Sequence, residues 1–197
     1  AILAPRFLVS SFACGSAILI FIFKLANKIN EIEALPPVYK YLKRILVYTL
    51  IINLFLLGCE VFKEFYTDSS HAISARYLFF GLHGHGMLRP YIWSAIAMEV
   101  VALTIVLLSF LKENENLLLV ACSFVAVGIW IEKGMGLVIP GFVPTPLGDI
   151  VEYRPSTIEF FVCLGIWAFG TLVFTYLAKV AVGIVSGRLR HPHAAKA

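Results

Sequence analysis

The chain has 197 residues, 60% of them hydrophobic and 14% charged, with a mean hydropathy of +0.88 and a formal net charge of +4. Soluble domains are about 45–50% apolar and about 25% charged, so an ordinary water-soluble globule is excluded and the solvent is partly lipid. The basic excess is scattered near the ends of apolar runs rather than gathered in one patch, which fits membrane topology signals and argues against nucleic-acid binding.

Five runs approach the roughly 20 mostly apolar residues that a membrane-crossing helix needs. Lipid offers no hydrogen-bond partner to a free backbone group, so the fold class read from these runs is all-α: a polytopic transmembrane bundle of about five spans. The first span lies near 7–25, with small residues at Ser11 and Gly15 and at Ala13 and Ala17 available for close helix contacts. A basic amphiphilic connection, "NKINEIEALPPVYKYLKR", leads to the second span near 45–65, which carries Asn53 and Glu60. The connection from Lys63 to Pro90 contains "SSHAISARYLFFGLHGHGM". It predicts a short interfacial helix whose Tyr77, Leu78, Phe79 and Phe80 suit a membrane surface. The third span lies near 91–111 and carries Glu99 about ten residues in, roughly 15 Å deep at 1.5 Å per residue. After the short "KENEN", the fourth span lies near 117–134.

Between the fourth and fifth spans the chain is strongly punctuated. Pro140, Pro144, Pro146 and Pro155 remove amide donors, so a helix cannot continue through them, and Gly134, Gly136, Gly141 and Gly148 permit turns. "LVIPGFV" is nevertheless apolar, which predicts a stiff surface lying on the membrane or against another protein. Ser156 and Glu159 form a capping-box pattern that starts the fifth span, 157–185. A basic tail, 186–197, follows.

Five spans place the connections alternately on two sides. One side holds Lys24, Lys28, Lys40, Lys43, Arg44, Lys112 and the basic residues from Lys179 onward, ten of the sixteen Lys and Arg; the other holds six. The richer side is read as cytoplasmic, with the C-terminus inside and the proline-rich connection outside. The chain opens "AILAPRF", without the pattern of a signal peptide, and an odd number of spans starting outside implies a preceding part. Cys14, Cys59, Cys122 and Cys163 are widely spaced, which predicts neither a disulfide framework nor an iron–sulfur cluster. His71, His83, His85, His191 and His193 fall in connections or the tail, so no haem and no strong metal site is expected within the chain.

Ionisable residues inside spans are functional candidates by default. Glu132 at the outer end of the fourth span, Glu60, Asn53 and the deeper Glu99 form a candidate proton path descending from the outer surface. Removing a carboxylate from water disfavours its charged form, a property that a proton-exchanging group uses. The alternative is a set of structural ion pairs, with Glu60 or Glu99 held by Arg6 or Arg89.

"EKGMGLVIPGFVPTPLGDIVEYRPS" (Glu132–Ser156) and "APRFLVSSFACGSAIL" (Ala4–Leu19) resemble the NrfD-type family of polysulfide-reductase membrane subunits, nearest its DsrP-like branch, which belongs to a sulfite-reduction-associated menaquinol redox complex. The resemblance covers the whole chain, which corresponds to the C-terminal half of a typical member. It implies an integral membrane subunit of a respiratory quinone-linked oxidoreductase in the prokaryotic cytoplasmic membrane, exchanging electrons between menaquinone or a related quinone and an external iron–sulfur subunit. Other membrane and cytochrome subunits complete such complexes. It also implies that the quinone site is built mainly from the other half. Glu60 and Glu99 match in type the family's buried proton-path residues. The proline-rich connection falls where the iron–sulfur subunit would dock, through Gly136, Pro140, Phe142, Pro144, Pro146, Asp149, Glu152 and Tyr153. Two other readings stay open: half of an ion- or proton-coupled transporter, and a structural anchor without an active role.

Overall fold

The computed structural model describes residues 3–28, 36–67, 70–110, 115–143, 145, 148–152 and 156–188; the side chains of Pro36, Ser70, His71, Glu115 and Phe142 lie outside that description. Among the described residues the architecture is all-helical: α1 (Leu3–Lys28), α2 (Pro36–Thr67), α3 (Ser70–Phe79), α4 (Arg89–Leu108), α5 (Glu115–Lys133) and α6 (Thr157–Val185). All but α3 are long and apolar enough to cross a membrane, α5 together with the π-helical turn Gly134–Val138 that extends it. The protein is a multi-pass helical membrane protein.

The helices overrun the apolar windows that announce them. α1 begins at Leu3 and α2 at Pro36, where proline suits a first helical turn. At 32 residues α2 is about 48 Å long, well beyond the roughly 30 Å hydrocarbon layer. Its basic first turns stay helical because polar side chains can point into water while the backbone bonds remain internal. Asn27 Nδ2 donates to Tyr39 Oη at 3.1 Å and ties the end of α1 to this extension. α4 stops earlier than its apolar run, at Leu108 with Ser109 as C-cap; Leu111 lies outside the described residues.

Two compact units divide the chain: α1 to α5 with the connection as far as Glu152, and a second that contains α6. In the first, α1 packs on α2 and α5, and α4 packs on α5 and α2, which closes a four-helix bundle. The buried seam of α4 is Ile92, Ala95, Glu99, Ala102 and Val106, a 3–4 spacing that keeps one face turned inward. The seam of α1 is Arg6, Ser10, Ala13, Ala17 and Ile20, spaced likewise. Ala13 and Ala17 are therefore contact residues, whereas Ser11 is exposed and a side chain on Gly15 would meet open space. Gly128 is the tight point between α4 and α5: a Cβ there would lie 3.2 Å from the Ala95 carbonyl oxygen and 3.3 Å from Glu99 Cγ.

Apolar residues fill the bundle in two blocks. Leu46, Leu50, Ala102, Val106, Leu118 and Val125 belong to one, which occupies the half away from α3. Leu57, Tyr77, Leu88, Ile92 and Val143 belong to the other, beneath α3. Along α2 and α4 the polar Asn53 and Glu99 fall between the blocks.

Helix α3 corrects one expectation. Tyr77, Leu78 and Phe79 are buried against the bundle rather than spread on a membrane surface, and of the four aromatic and aliphatic residues only Phe80 is well exposed. Trp93 Nε1 donates to the Phe79 carbonyl at 3.0 Å and fixes the end of the helix on α4. The following turn is closed by Leu82 and His85, which exchange backbone bonds of 2.8 and 2.9 Å. Gly81 there has φ +86°, and a Cβ would lie 2.7 Å from the His85 carbonyl oxygen, so both backbone and space require glycine.

The fourth span, expected to end near 134 with turns at the following glycines, continues beyond it. The backbone widens into the π-helical turn through Gly134 and Gly136, and regular winding ends only near Pro140, which opens the short 3-10 turn Pro140–Phe142. In the second unit, Ser156 caps α6 as its sequence pattern predicts: Glu159 N donates to Ser156 Oγ at 3.3 Å, and Ser156 N donates to Glu159 Oε2 at 2.6 Å. The apolar side chains of α6 are exposed on every face, the character of a helix surrounded by lipid or by other membrane helices.

Candidate functional site

The buried seams carry charged residues from four helices to one place. Arg6, in the first turns of α1, donates through Nη1 to Glu60 Oε2 of α2 and through Nη2 to Glu132 Oε1 of α5. Lys133 Nζ lies 3.3 Å from the same Glu132 oxygen and 5.4 Å from the centre of the Phe7 ring. Asn53 Nδ2 donates to Glu99 Oε2 of α4 at 3.0 Å and reaches Glu132 Oε2 at 3.5 Å. One amide therefore joins the two most buried carboxylates. Glu99 and Asn53 have no exposed surface, and Arg6, Glu60 and Glu132 keep 8%, 24% and 1% of their side-chain surfaces. Burial is graded, with Glu60 as the wettest carboxylate and Glu99 the driest.

The helical spacing produces this arrangement. Asn53 and Glu60 are seven residues apart, two turns on one face, so both look inward from α2. Gly128 lets α5 approach α4 at Glu99. Ala13, Ala17 and Ser10 let α1 approach closely enough for Arg6 to span α2 and α5.

The network joins three carboxylates, Glu60, Glu99 and Glu132, to two cations, Arg6 and Lys133. With all five charged, one negative charge remains uncompensated. Burial of an uncompensated charge is costly, whereas one proton on the carboxylates balances the set. Among the described residues, Glu99 Oε1 and Asn53 Oδ1 are buried acceptors without a donor.

A cavity of about 370 Å³ opens beside the network, between α1, α2, α3, α4, α5 and the π-helical turn. Leu57, Val61, Leu78, Phe79, Ile92 and Leu137 wall it, and Arg6, Glu60, Glu132 and Lys133 line its polar side. Its volume is within the roughly 300–1,000 Å³ of small-molecule sites.

Two side chains, Ser74 and Glu152, tie α3 and the turn after it to the connection that follows α5. Ser74 Oγ of α3 donates to the Val143 carbonyl at 3.0 Å. Glu152 accepts from the Met87 amide at 3.1 Å and from Tyr77 Oη at 3.4 Å, and its other oxygen lies 3.6 Å from His85 Nδ1. The Met87 N–H is the main cause that holds the Glu152 carboxyl below the ordinary carboxylate range; desolvation, next in size, opposes it, and His85 and then Tyr77 lower it further. Burial, and then the adjacent Glu152, push the Tyr77 hydroxyl up. A carboxyl held low stabilises the fold above its unfolded value, and that contribution disappears as pH falls through the lowered one. Proteolysis of the connection around 145–152 is therefore expected to accelerate as pH drops below about 4. Glu152→Ala should cleave several-fold faster than the parent already at pH 7, without that acid step. An equal cleavage rate for the two at pH 7 would refute the tether.

The structure brings together all four candidate path residues, Glu99, Glu60, Asn53 and Glu132. Glu132 is buried inside the bundle, where Arg6 and Lys133 hold it. The docking candidates part company. Pro140 is buried and Gly136 faces Ile92, so both line the cavity rather than an outer surface, and Glu152 is engaged with the turn after α3. Asp149 is exposed. Pro144, Pro146, Tyr153 and the side chain of Phe142 lie outside the described residues. Arg6 entered the sequence reading only as an ion-pair partner of Glu60 or Glu99 in the structural alternative; it pairs with Glu60, and with Glu132 rather than Glu99, while Lys133 was not among the candidates. Four cysteines are free, and no group of three metal-ligating side chains occurs among the described residues. No family model, no curated protein and no solved structure matches the chain.

Proposed function

We propose that the chain is an integral membrane subunit of a respiratory quinone-linked oxidoreductase complex, and that its buried network exchanges protons while partner subunits carry the electrons. The carrying observation is the imbalance of three carboxylates against two cations inside a membrane bundle. Such a set has room for one exchangeable proton, with Glu60 and Glu132 at the cavity and Glu99 deepest. Arg6 and Lys133 keep Glu132 in place, and the Asn53 amide holds Glu99 and reaches Glu132. Glu99, when protonated, gains an O–H donor in a region where Asn53 Oδ1 lacks one. Beyond Glu99 the helices are packed by Leu50, Ala102, Val106 and Val125, so proton exchange in this reading runs to the cavity side.

A menaquinone or related quinone supplies two-electron, two-proton chemistry when bound. The residues present are compatible with it: the cavity has apolar walls, a polar side and an adjacent proton-exchanging set. In this reading the α3 end faces outward, the C-terminus is cytoplasmic, and the membrane is the prokaryotic cytoplasmic membrane. An iron–sulfur subunit docks near the exposed Asp149, alongside further membrane and cytochrome subunits. The double engagement of Arg6 favours a second reading, a structural anchor whose carboxylates are paired and inert.

The test of the partner is made on the complex purified through this chain. An iron–sulfur subunit should co-purify, and a cysteine placed at Asp149 should react with an impermeant maleimide from outside only once that subunit is stripped. Labelling from the cytoplasmic side, or no change on stripping, would sink this docking.

A further inference from the structure

One face of α2 belongs to the bundle, where Leu46, Leu50, Asn53 and Leu57 are buried. On its outer face Tyr41, Ile45, Tyr48, Ile52 and Phe55 are exposed. These recur at alternating spacings of four and three residues, so they form one strip along the helix. Lys40 and Arg44, one turn apart and both exposed, flank the start of that strip. Helix length sets their depth. Arg44 and Lys63 are nineteen residues apart, about 28 Å along the axis, close to the roughly 30 Å hydrocarbon layer. Arg44 therefore sits at one membrane boundary, and Lys40, one turn further out, in the headgroup layer. Tyr41 and Tyr48 bracket that boundary, the depth that the amphipathic tyrosine ring prefers. No carboxylate occurs between Leu35 and Cys59, and among the described residues neither Lys40 nor Arg44 has an ion-pair partner. Lys43, on the same turn, is turned aside: its Nζ lies 6.0 Å from the centre of the Phe110 ring beyond α4. The outer face of α2 thus joins two uncompensated cations to an apolar, aromatic length, the complement of an anionic headgroup with its acyl chain.

We propose that the outer face of α2 binds an anionic glycerophospholipid. Arg44 and Lys40 hold its phosphodiester, Tyr41 and Tyr48 flank its glycerol region, and an acyl chain lies along Ile45, Ile52 and Phe55. The guanidinium offers a two-donor fork that fits phosphate, and the ammonium adds a point charge. A free phosphate shares the chemistry of the headgroup but leaves the apolar strip uncovered, so the occupant is the lipid. The site uses neither the buried network nor the cavity and stands apart from the redox reading. Only its assignment to the cytoplasmic leaflet rests on that reading.

The experiment uses the intact membrane complex in phosphatidylcholine nanodiscs that contain a little phosphatidylglycerol bearing a diazirine near the top of one acyl chain. Phosphatidylcholine with the same diazirine is the comparison without net charge, and labelled peptides are identified by mass spectrometry. The anionic probe is expected to label 40–55 preferentially. Arg44→Gln should weaken that labelling by about tenfold, the loss of a hydrogen bond to a charged partner. Arg44→Lys should hold it within about threefold of the parent, since the charge remains and the fork is lost. Lys40→Gln, an independent variant, should weaken it several-fold. Lys28→Gln removes the same charge from the end of α1 and should leave labelling within about twofold, because salt screens exposed charges beyond about 8 Å. Equal labelling by the two probes overturns recognition of the anionic head. A fall in Lys28→Gln as large as in Arg44→Gln overturns the site in favour of general attraction to a basic surface. Displacement of the probe by excess inorganic phosphate overturns the lipid as occupant. Absence of labelling within 40–55 by either probe gives this face to another helix and overturns the proposal, and it leaves the quinone-linked reading untouched.

Discussion

Arg6→Met is expected to destabilise the bundle by about 3–5 kcal/mol, the usual scale for removing one partner of a buried ion pair. The guanidinium is the only group that bonds Glu60 and Glu132 at once among the described residues. Without it, Glu132 retains Lys133 and the distant Asn53 amide, while Glu60 loses its described buried cation. The cost comes from stranded carboxylates rather than from the bonds themselves, because paired charges gain little over an apolar replacement. Combining Arg6→Met with Glu60→Gln and Glu132→Gln should therefore recover more than half of the loss. The measurement is resistance to denaturation in detergent, followed by helical circular dichroism across an SDS titration. A loss below about 1 kcal/mol for Arg6→Met, or a triple variant no better than the single one, would show that the network does not hold α1 to α2 and α5.

Long apolar runs made the five spans legible, because nothing but a helix satisfies the backbone of such a run in lipid. Their ends were less legible. Hydropathy reports the lipid-matched part of a helix, and α2 continues through Tyr39, Lys40 and Lys43, where Asn27 of α1 bonds Tyr39 and Lys43 lies over the Phe110 ring. The connections were read least well, for a specific reason. Tyr77, Leu78 and Phe79 are as suitable for a membrane surface as for a protein interior, and composition cannot choose between them. Tertiary packing on Leu57, Leu88 and Ile92 decides it. Gly136 similarly read as a loop residue, although in the structure it gives the π-helical turn room beside Ile92.

The carboxylates of the site were legible because a charge within an apolar run stands out. Their mutual contacts were not. Glu99 and Glu132 lie on different helices, and their meeting depends on which faces of α4 and α5 turn inward. Runs apolar on most faces hide that choice. The informative pattern was the weaker one of small residues: Ala95 and Ala102 flank Glu99 on its seam, and Gly128 opposes it. Small residues mark close helix contacts in lipid, so a carboxylate between two alanines at 3–4 spacing points to the interior of a bundle.

Glu99→Gln separates the proton-exchanging reading from the structural anchor. Glutamine keeps the side-chain length and an oxygen that can accept from Asn53 Nδ2, so the bundle should retain its stability to within about 1 kcal/mol, as surrogate polar contacts usually allow. What glutamine cannot do is take up and release a proton. If Glu99 is the deep proton-exchanging member of the network, quinol-driven turnover of the assembled complex should fall by roughly 10²–10⁴, the usual contribution of a positioned acid–base group. Glu99→Asp should recover part of the rate, since it restores the ionisable group but shortens its reach to Asn53. The paired readouts are steady-state quinol oxidation and the fast pH change on the cavity side, seen by an impermeant indicator in proteoliposomes. Loss of turnover with normal assembly, and with that pH change lost in step, supports proton exchange through Glu99. Normal turnover and pH change in Glu99→Gln would leave the carboxylate a structural partner of Asn53 and defeat the proposed function for this network. Loss of assembly in Glu99→Gln together with full activity in Glu99→Asp would still favour the ionisable group, because aspartate is the poorer steric match of the two.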